Sequence, residues 1–298
     1  MAVDQVHRFF FSGFSYQCRL VQCPAPSTEP IVVIGGAFQN MYSYRRLEGP
    51  WAQTAPVISV ELPGSGNADQ LPTTYGFDFL ADALTDLLDR LGLDRVNLFA
   101  VSYGVPVAYR LAQRDPGRLA RLALLGAASV YPPEGLAGLR AMVDALASGD
   151  ADGYARRSVE TLMAPADCTV RNRAAVTRVL ARDMAAITGP DFERHLASTR
   201  RVMDWPGLPD GGVSGVPTLC FTGEHDTLTR PDLGREAAAT IDGSIFTLIR
   251  DTDHLPALER RHEVGELLLR WFTDQPLDDL DFLTPLEQPT RPLPAGVA

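Results

Sequence analysis

Short apolar runs alternate with helix-spaced apolar residues along most of this chain. Residues Ile31–Ile34, 57–60, Val96–Val101 and Leu119–Leu125 are the clearest runs. Runs this short and this apolar read as strands buried on both faces. Between them, residues 77–91 place Phe77, Leu80, Leu84, Leu87, Leu88 and Leu91 on one helical face and Asp78, Asp82 and Asp86 on the other. Gly92 closes that helix. This alternation predicts an α/β domain: a mostly parallel, twisted sheet with helices on both faces. Residues 6–11 and 16–21, joined by Ser12-Gly13, read as a strand pair ahead of it.

The alternation breaks between about residues 130 and 215. No strand-like run occurs there, and 136–146, 154–163, 172–187 and 192–202 all carry helical spacing. It resumes with 217–222 (strand), 233–241 (helix), 244–249 (strand) and 259–272 (helix). The expected organisation is a core of residues 1–129 and 216–273, a helical cap of 130–215 inserted into it, and a proline-rich tail of 274–298. Such a cap lies at the sheet's C-terminal edge, where open α/β sheets place their sites. An independent helical domain or a dimerisation device is the competing reading. In the tail, Phe282 and Leu283 are the candidate anchors.

The run Val96–Val101 ends at Ser102, and a helical pattern starts directly after it. A strand, a sharp turn and a helix lift a hydroxyl clear of the sheet and set it at the positive end of a helix. The local pattern, Ala100-Val101-Ser102-Tyr103-Gly104, is A-x-S-x-G, with small residues where strand and helix pack closely. On its own, a serine at such a corner also fits a plain helix N-cap.

Composition removes several alternatives. The formal net charge is −10 and all 27 cations are arginine. That argues against nucleic acid and anionic membrane surfaces as partners, and it excludes lysine Schiff-base chemistry. Gly64-Ser65-Gly66 lacks the third glycine of a dinucleotide loop. No secretory signal and no apolar run long enough to span a membrane is visible, so a cytoplasmic location is expected. Cys18, Cys23, Cys168 and Cys220 form no C-x-x-C pair and read as free thiols. No metal-ligand spacing appears.

A serine hydroxyl needs a base, and the base needs an orienting carboxylate. Of five histidines, His254 lies in a loop directly after a predicted strand, in Asp251-Thr252-Asp253-His254, on the same sheet edge as Ser102. His195 reads as a solvated position on a helix of the block. Asp226 follows the preceding strand in Gly223-Glu224-His225-Asp226. Asp251 and Asp253 compete for its role, although neighbours on a tight loop rarely face the same ring. Asp226 also reads as a plain loop residue ahead of a helix capped by Thr229.

The elbow, the chain order Ser, Asp, His and these strand-end contexts resemble the α/β-hydrolase superfamily over residues 6–272. So does Glu61-Leu62-Pro63-Gly64-Ser65-Gly66, with Glu61 where relatives carry Asp. The resemblance implies the α/β-hydrolase fold, with Ser102 as nucleophile, His254 as general base and Asp226 as its orienter. It implies an oxyanion hole from the backbone N–H groups of Tyr103 and of the loop 35–38, here Ala37, and it implies no cofactor. Gly35-Gly36 stands where many relatives have His-Gly, so the loop lacks a side chain that normally braces it. Phe38, Met41 and Trp205 are the expected substrate contacts, and the other aromatic and methionine residues of 130–215 pack helices together. The expected activity is hydrolysis of an ester or thioester with a medium-sized apolar acyl group. The same triad would also serve an acyltransferase, a cyclase or a carbon–carbon bond hydrolase. A silent hydrolase fold that only binds a ligand is the rival from another class.

Overall fold

The computed structural model describes residues 4–187 and 189–290. In chain order the elements are β1 (Asp4–Phe11), β2 (Phe14–Val21), β3 (Ile31–Ile34), α1 (Glu48–Trp51), β4 (Val57–Glu61), α2 (Phe77–Arg90), β5 (Val96–Val101) and α3 (Val105–Arg114). There follow β6 (Leu119–Leu125), α4 (Pro133–Ala147), α5 (Ala151–Leu162), α6 (Arg173–Ala185) and α7 (Pro190–Met203). The chain closes with β7 (Thr218–Gly223), α8 (Pro231–Ala238), β8 (Ile245–Ile249), α9 (Pro256–Glu259) and α10 (Arg261–Phe272). One sheet runs in the order β1-β2-β4-β3-β5-β6-β7-β8. It is parallel from β4 to β8 and antiparallel at β1–β2 and β2–β4.

Alternation along β5 explains why the sheet is covered twice. Val96, Leu98 and Ala100 join a core that includes α2 and α3. Phe99 and Val101 point the other way, into a core with Trp51, α10 and Leu277–Leu283 side chains. A period of two divides one strand between two layers. The buried Asn97 donates its side-chain amide to Thr28 Oγ1 and the Glu29 carbonyl, while its Oδ1 has no partner among the described residues.

The helix expected over 259–272 is α10, starting at Arg261, and a separate short helix, α9, precedes it. Arg260 adopts φ −126° and ψ 53°, which breaks the ladder between α9 and α10. The segment 274–290 is less loose than its prolines suggest. It runs antiparallel beside β8, with Arg250 N–H bonded to the Phe282 carbonyl and Phe246 and Glu287 exchanging backbone bonds. Leu277, Leu280, Phe282 and Leu283 are buried there, and Arg235 pairs with Glu287 at 2.6 Å. This covers the edge that β8 would otherwise leave open. Residues 291–298 of the expected tail lie outside the described residues.

Helices α4 to α7 pack on one another and stand over the Ser102 end of the sheet, since Leu139, Leu162, Thr199 and Val202 share a cavity with Ser102 and His254. Polar ties hold the block down. The Arg201 guanidinium is buried and donates to the carbonyls of Leu71, Pro72 and Tyr75 and to the Tyr103 hydroxyl. Arg173 donates to the carbonyls of Ala164, Pro165 and Cys168, while the Ala164 N–H donates to Asp253.

The strap on β8 generates a prediction. Leu283→Ala removes a buried side chain from the residue whose backbone bridges to Ile249. It should lower unfolding free energy by about 2–5 kcal/mol in a urea titration, with little change to residues around Ser102.

Candidate active site

The β5–α3 corner forces Ser102 to φ +46°, a left-handed conformation rare for a residue with a side chain. Close packing explains the glycine two residues on: a Cβ at Gly104 would lie 2.9 Å from Ile34 Cγ2 and 3.0 Å from the Ile34 and Gly35 carbonyls. Strand β3 therefore runs tight under the elbow, and the loop after it, 35–39, arrives beside Ser102.

His254 and Asp226 reach the same point from the loops after β8 and β7. His254 Nε2 lies 3.1 Å from Ser102 Oγ, and Nδ1 lies 2.9 Å from Asp226 Oδ2. Asp226 Oδ1 accepts from the N–H groups of Leu228 (2.9 Å) and Thr229 (2.8 Å), and Oδ2 accepts from the hydroxyls of Thr222 and Thr229. Burial pushes the Asp226 carboxyl up, but His254 and those hydroxyls outweigh it and hold it at about 2. Burial pushes His254 down; the Asp226 charge and hydrogen bond, with a smaller contribution from Asp253, leave it raised above its ordinary value.

The competing acids face elsewhere. Asp253 accepts from the Leu255 and Ala164 amides, and Asp251 pairs with Arg260 at 2.9 Å. Thr229 does not cap a helix; it binds Asp226 and sits 3.2 Å from His254 Nδ1.

The loop 35–39 beside Ser102 has a brace with no signal in the local sequence pattern. Gln39 Oε1 accepts from the Gly36 N–H and from the Tyr44 hydroxyl, each at 2.5 Å. Gln39 thus ties this loop to Tyr44, in a segment where Gly35-Gly36 offers no bracing side chain. It also engages the Gly36 amide, while no partner engages the Ala37 amide among the described residues. Tyr103 sits in the first turn after the elbow, where amides have no acceptor within their own helix. Glu61, fully buried, accepts from the Met41 and Asn67 amides and from Gln17 Nε2, tying the following segment down.

These residues open on a cavity of about 70 Å³ with a mainly apolar wall, which includes Phe38, Leu125, Leu139, Leu162, Val202 and Leu228. Phe38 is there as expected. Met41 and Trp205 are not. Met41 is buried with its N–H on Glu61, and Trp205 packs edge-to-face against Phe77 and Tyr131, behind the wall. Tyr131 takes the position at the wall instead, lining the cavity together with Ser102. Burial pushes this phenol upward, so it stays protonated. His195 is buried rather than solvated, against Phe38 and Tyr154. The spacing Phe192, His195, Leu196, Thr199, Val202 marks this face and was a legible signal.

A family model described as the alpha/beta hydrolase fold matches residues 29–173. An alpha/beta hydrolase enzyme from a Medee basin deep-sea metagenome library superposes with a TM-score of 0.78 over 91% of this chain and 99% of its own, at 18% identity. The chain has the α/β-hydrolase fold. Among curated relatives, this hydrolase is 28% identical over 251 residues to a pimeloyl-[acyl-carrier protein] methyl ester esterase of Neisseria meningitidis, covering 81% of this chain and 92% of that one. It is 26% identical over 227 residues to a 2-hydroxy-6-oxononadienedioate/2-hydroxy-6-oxononatrienedioate hydrolase of Klebsiella pneumoniae, covering 72% and 75%. No helix among the described residues is long and apolar enough to cross a membrane.

The raised His254 is directly measurable. Its ring should titrate by NMR above the ordinary histidine value of about 6.5, keeping its proton to higher pH. Asp226→Asn removes the main charge responsible and should move that midpoint downward.

Proposed function

We propose that this hydrolase cleaves a carboxylic ester or thioester through an acyl-enzyme on Ser102. The observation that carries the reading is the unbroken chain Ser102 Oγ, His254 Nε2, His254 Nδ1, Asp226 Oδ2, with contacts of 3.1 and 2.9 Å, opening on an apolar cavity. The oxygen of Ser102 attacks the acyl carbon as His254 takes the hydroxyl proton. The negative charge on the former carbonyl oxygen is met by the amides of Ala37 and Tyr103. The tetrahedral adduct collapses, the bond to the leaving oxygen or sulfur breaks, and the leaving group takes the proton from His254. Water repeats the sequence on the acyl-enzyme, releasing the acid and restoring Ser102. Asp226 stays ionised and holds the ring in the tautomer this needs, with its proton on Nδ1.

The wall chemistry narrows the substrate. No arginine lines the cavity among the described residues, so its acyl group is uncharged and apolar. A dioate, as in the name of the Klebsiella relative's substrate, calls for cations that this wall lacks. That favours ester cleavage over carbon–carbon cleavage of such an acid. Residues 130–215 serve as the cap, excluding water from the oxyanion site. Four free cysteines suit a reducing cytoplasm.

Ser102→Ala should abolish labelling by a fluorophosphonate and lower kcat on a short-chain ester by about 10⁴-fold or more, with an unchanged circular dichroism spectrum. Unchanged turnover would remove Ser102 from the mechanism. Gln39→Ala removes the brace on the Gly36 amide. It should lower kcat by about 10- to 100-fold while the pH midpoint of activity stays in place.

A further inference from the structure

A second cavity, of about 370 Å³, adjoins the first across the oxyanion loop. The two share Gly36, Ala37, Phe38, Gln39 and Tyr103, so both border the point where a scissile carbonyl would sit. Their chemistry differs. The second is walled by Asn40, Ser43 and Asn67 from core loops and by Arg194, His195 and Ser198 from α7.

Phe38 stands between the two. Its backbone is left-handed at φ +68°, a strained conformation for a bulky residue. Its ring lies 4.4 Å from the His195 ring, centroid to centroid. His195 is 8% exposed, and its Nδ1 is 3.0 Å from the Tyr154 hydroxyl. No protein hydrogen bond engages its Nε2 among the described residues, and His195 is one of the residues that line the chamber. Burial holds the ring down at about 4, with Arg194 pushing the same way and Asp191 opposing, so it is neutral near pH 7.

Charges around the chamber are matched. Arg194 pairs with Asp191 at 2.5 Å, and Asp183 pairs with Arg182 at 2.7 Å. The chamber therefore offers hydrogen-bonding groups without a free charge. A substrate with its acyl group in the apolar cavity and its carbonyl oxygen at the Ala37 and Tyr103 amides has one substituent left to place.

The geometry points to this chamber as the subsite for the alcohol half of the ester, an uncharged polyol, read by His195 Nε2. This rests on the ester reading above. When the bond from the acyl carbon to the alcohol oxygen breaks, that oxygen receives the His254 proton and departs through the chamber as neutral polyol. An apolar alcohol would leave the Nε2 and the surrounding amide and hydroxyl groups without partners, which is the strong form of discrimination.

The test holds the acyl group fixed and varies the alcohol. kcat/KM is measured on 1-monobutyrylglycerol, pentyl butyrate and the butyryl ester of glycolate. The glyceryl ester should exceed both others by about tenfold or more. His195→Phe should lower the ratio of glyceryl to pentyl turnover by about tenfold. Asn67→Leu, at an exposed wall position with little demand on folding, should lower the same ratio. Labelling of Ser102 by a fluorophosphonate reports that each variant is folded. Turnover of all three esters without preference, or variants that slow the glyceryl and pentyl esters equally, overturns the polyol subsite and leaves the ester reading standing. Failure to turn over any ester, with Ser102 unlabelled in folded wild-type protein, overturns both.

Discussion

Burial of the Asp226 carboxylate is the constraint on which the site depends. An ionised carboxylate out of water is costly unless its oxygens are filled with hydrogen bonds. Here two backbone amides, two threonine hydroxyls and the His254 ring fill them. Each donor fixes something. The amides of Leu228 and Thr229 set the turn after β7, Thr222 ties the strand end to it, and His254 draws in the loop after β8. The ring is then oriented on Ser102 before any substrate arrives. A Cβ at Gly126 would fall 3.0 Å from Thr229 Oγ1 and 3.4 Å from His254 Cε1, so the end of β6 must stay bare for the arrangement to fit.

The helical block completes this by closing over it. Its ties are polar and run to the catalytic loops themselves. Arg201 grips the Tyr103 hydroxyl and the carbonyls of residues 71, 72 and 75, with no ion-pair partner among the described residues. Asn172 reaches the Glu259 carbonyl, and the Ala164 amide reaches Asp253, next to His254 in the chain. Asp253 and Glu259 are both buried, and Asp253 N–H donates to Glu259. Desolvation first, then the Asp253 charge, pushes the Glu259 carboxyl well above the usual carboxylate range. The histidine loop is thus held from the core by Asp226 and from the block by Ala164.

Much of this was legible from the chain. The strands β3, β5 and β6 fall on the apolar runs that predict them, because a strand buried on both faces has no polar face to confuse the pattern. The positions of Ser102, Asp226 and His254 at strand ends followed from that. Other features were hidden. Gln39 sits in a loop without periodicity, and its bond to Gly36 depends on how that loop folds back. Tyr131 lies six residues beyond β6, in a connection with neither strand nor helix period. Met41 and Trp205 had the right chemistry for a pocket wall but do not line it. The strap on β8 pairs through backbone groups and carries Pro285 and Pro289, so it shows little strand pattern.

The sequence by itself determined the layered α/β sheet, the elbow and the order of the three reactive side chains, because local period and turn chemistry act over a few residues. The tertiary structure decided which aspartate meets the ring, what braces the oxyanion loop, and that His195 lies inside rather than in solvent. Those outcomes turn on contacts between segments far apart in the chain, such as Ser102 with His254 and Phe38 with His195. Their geometry is set by how the helical block packs on the sheet, and no local pattern of residues encodes that distance.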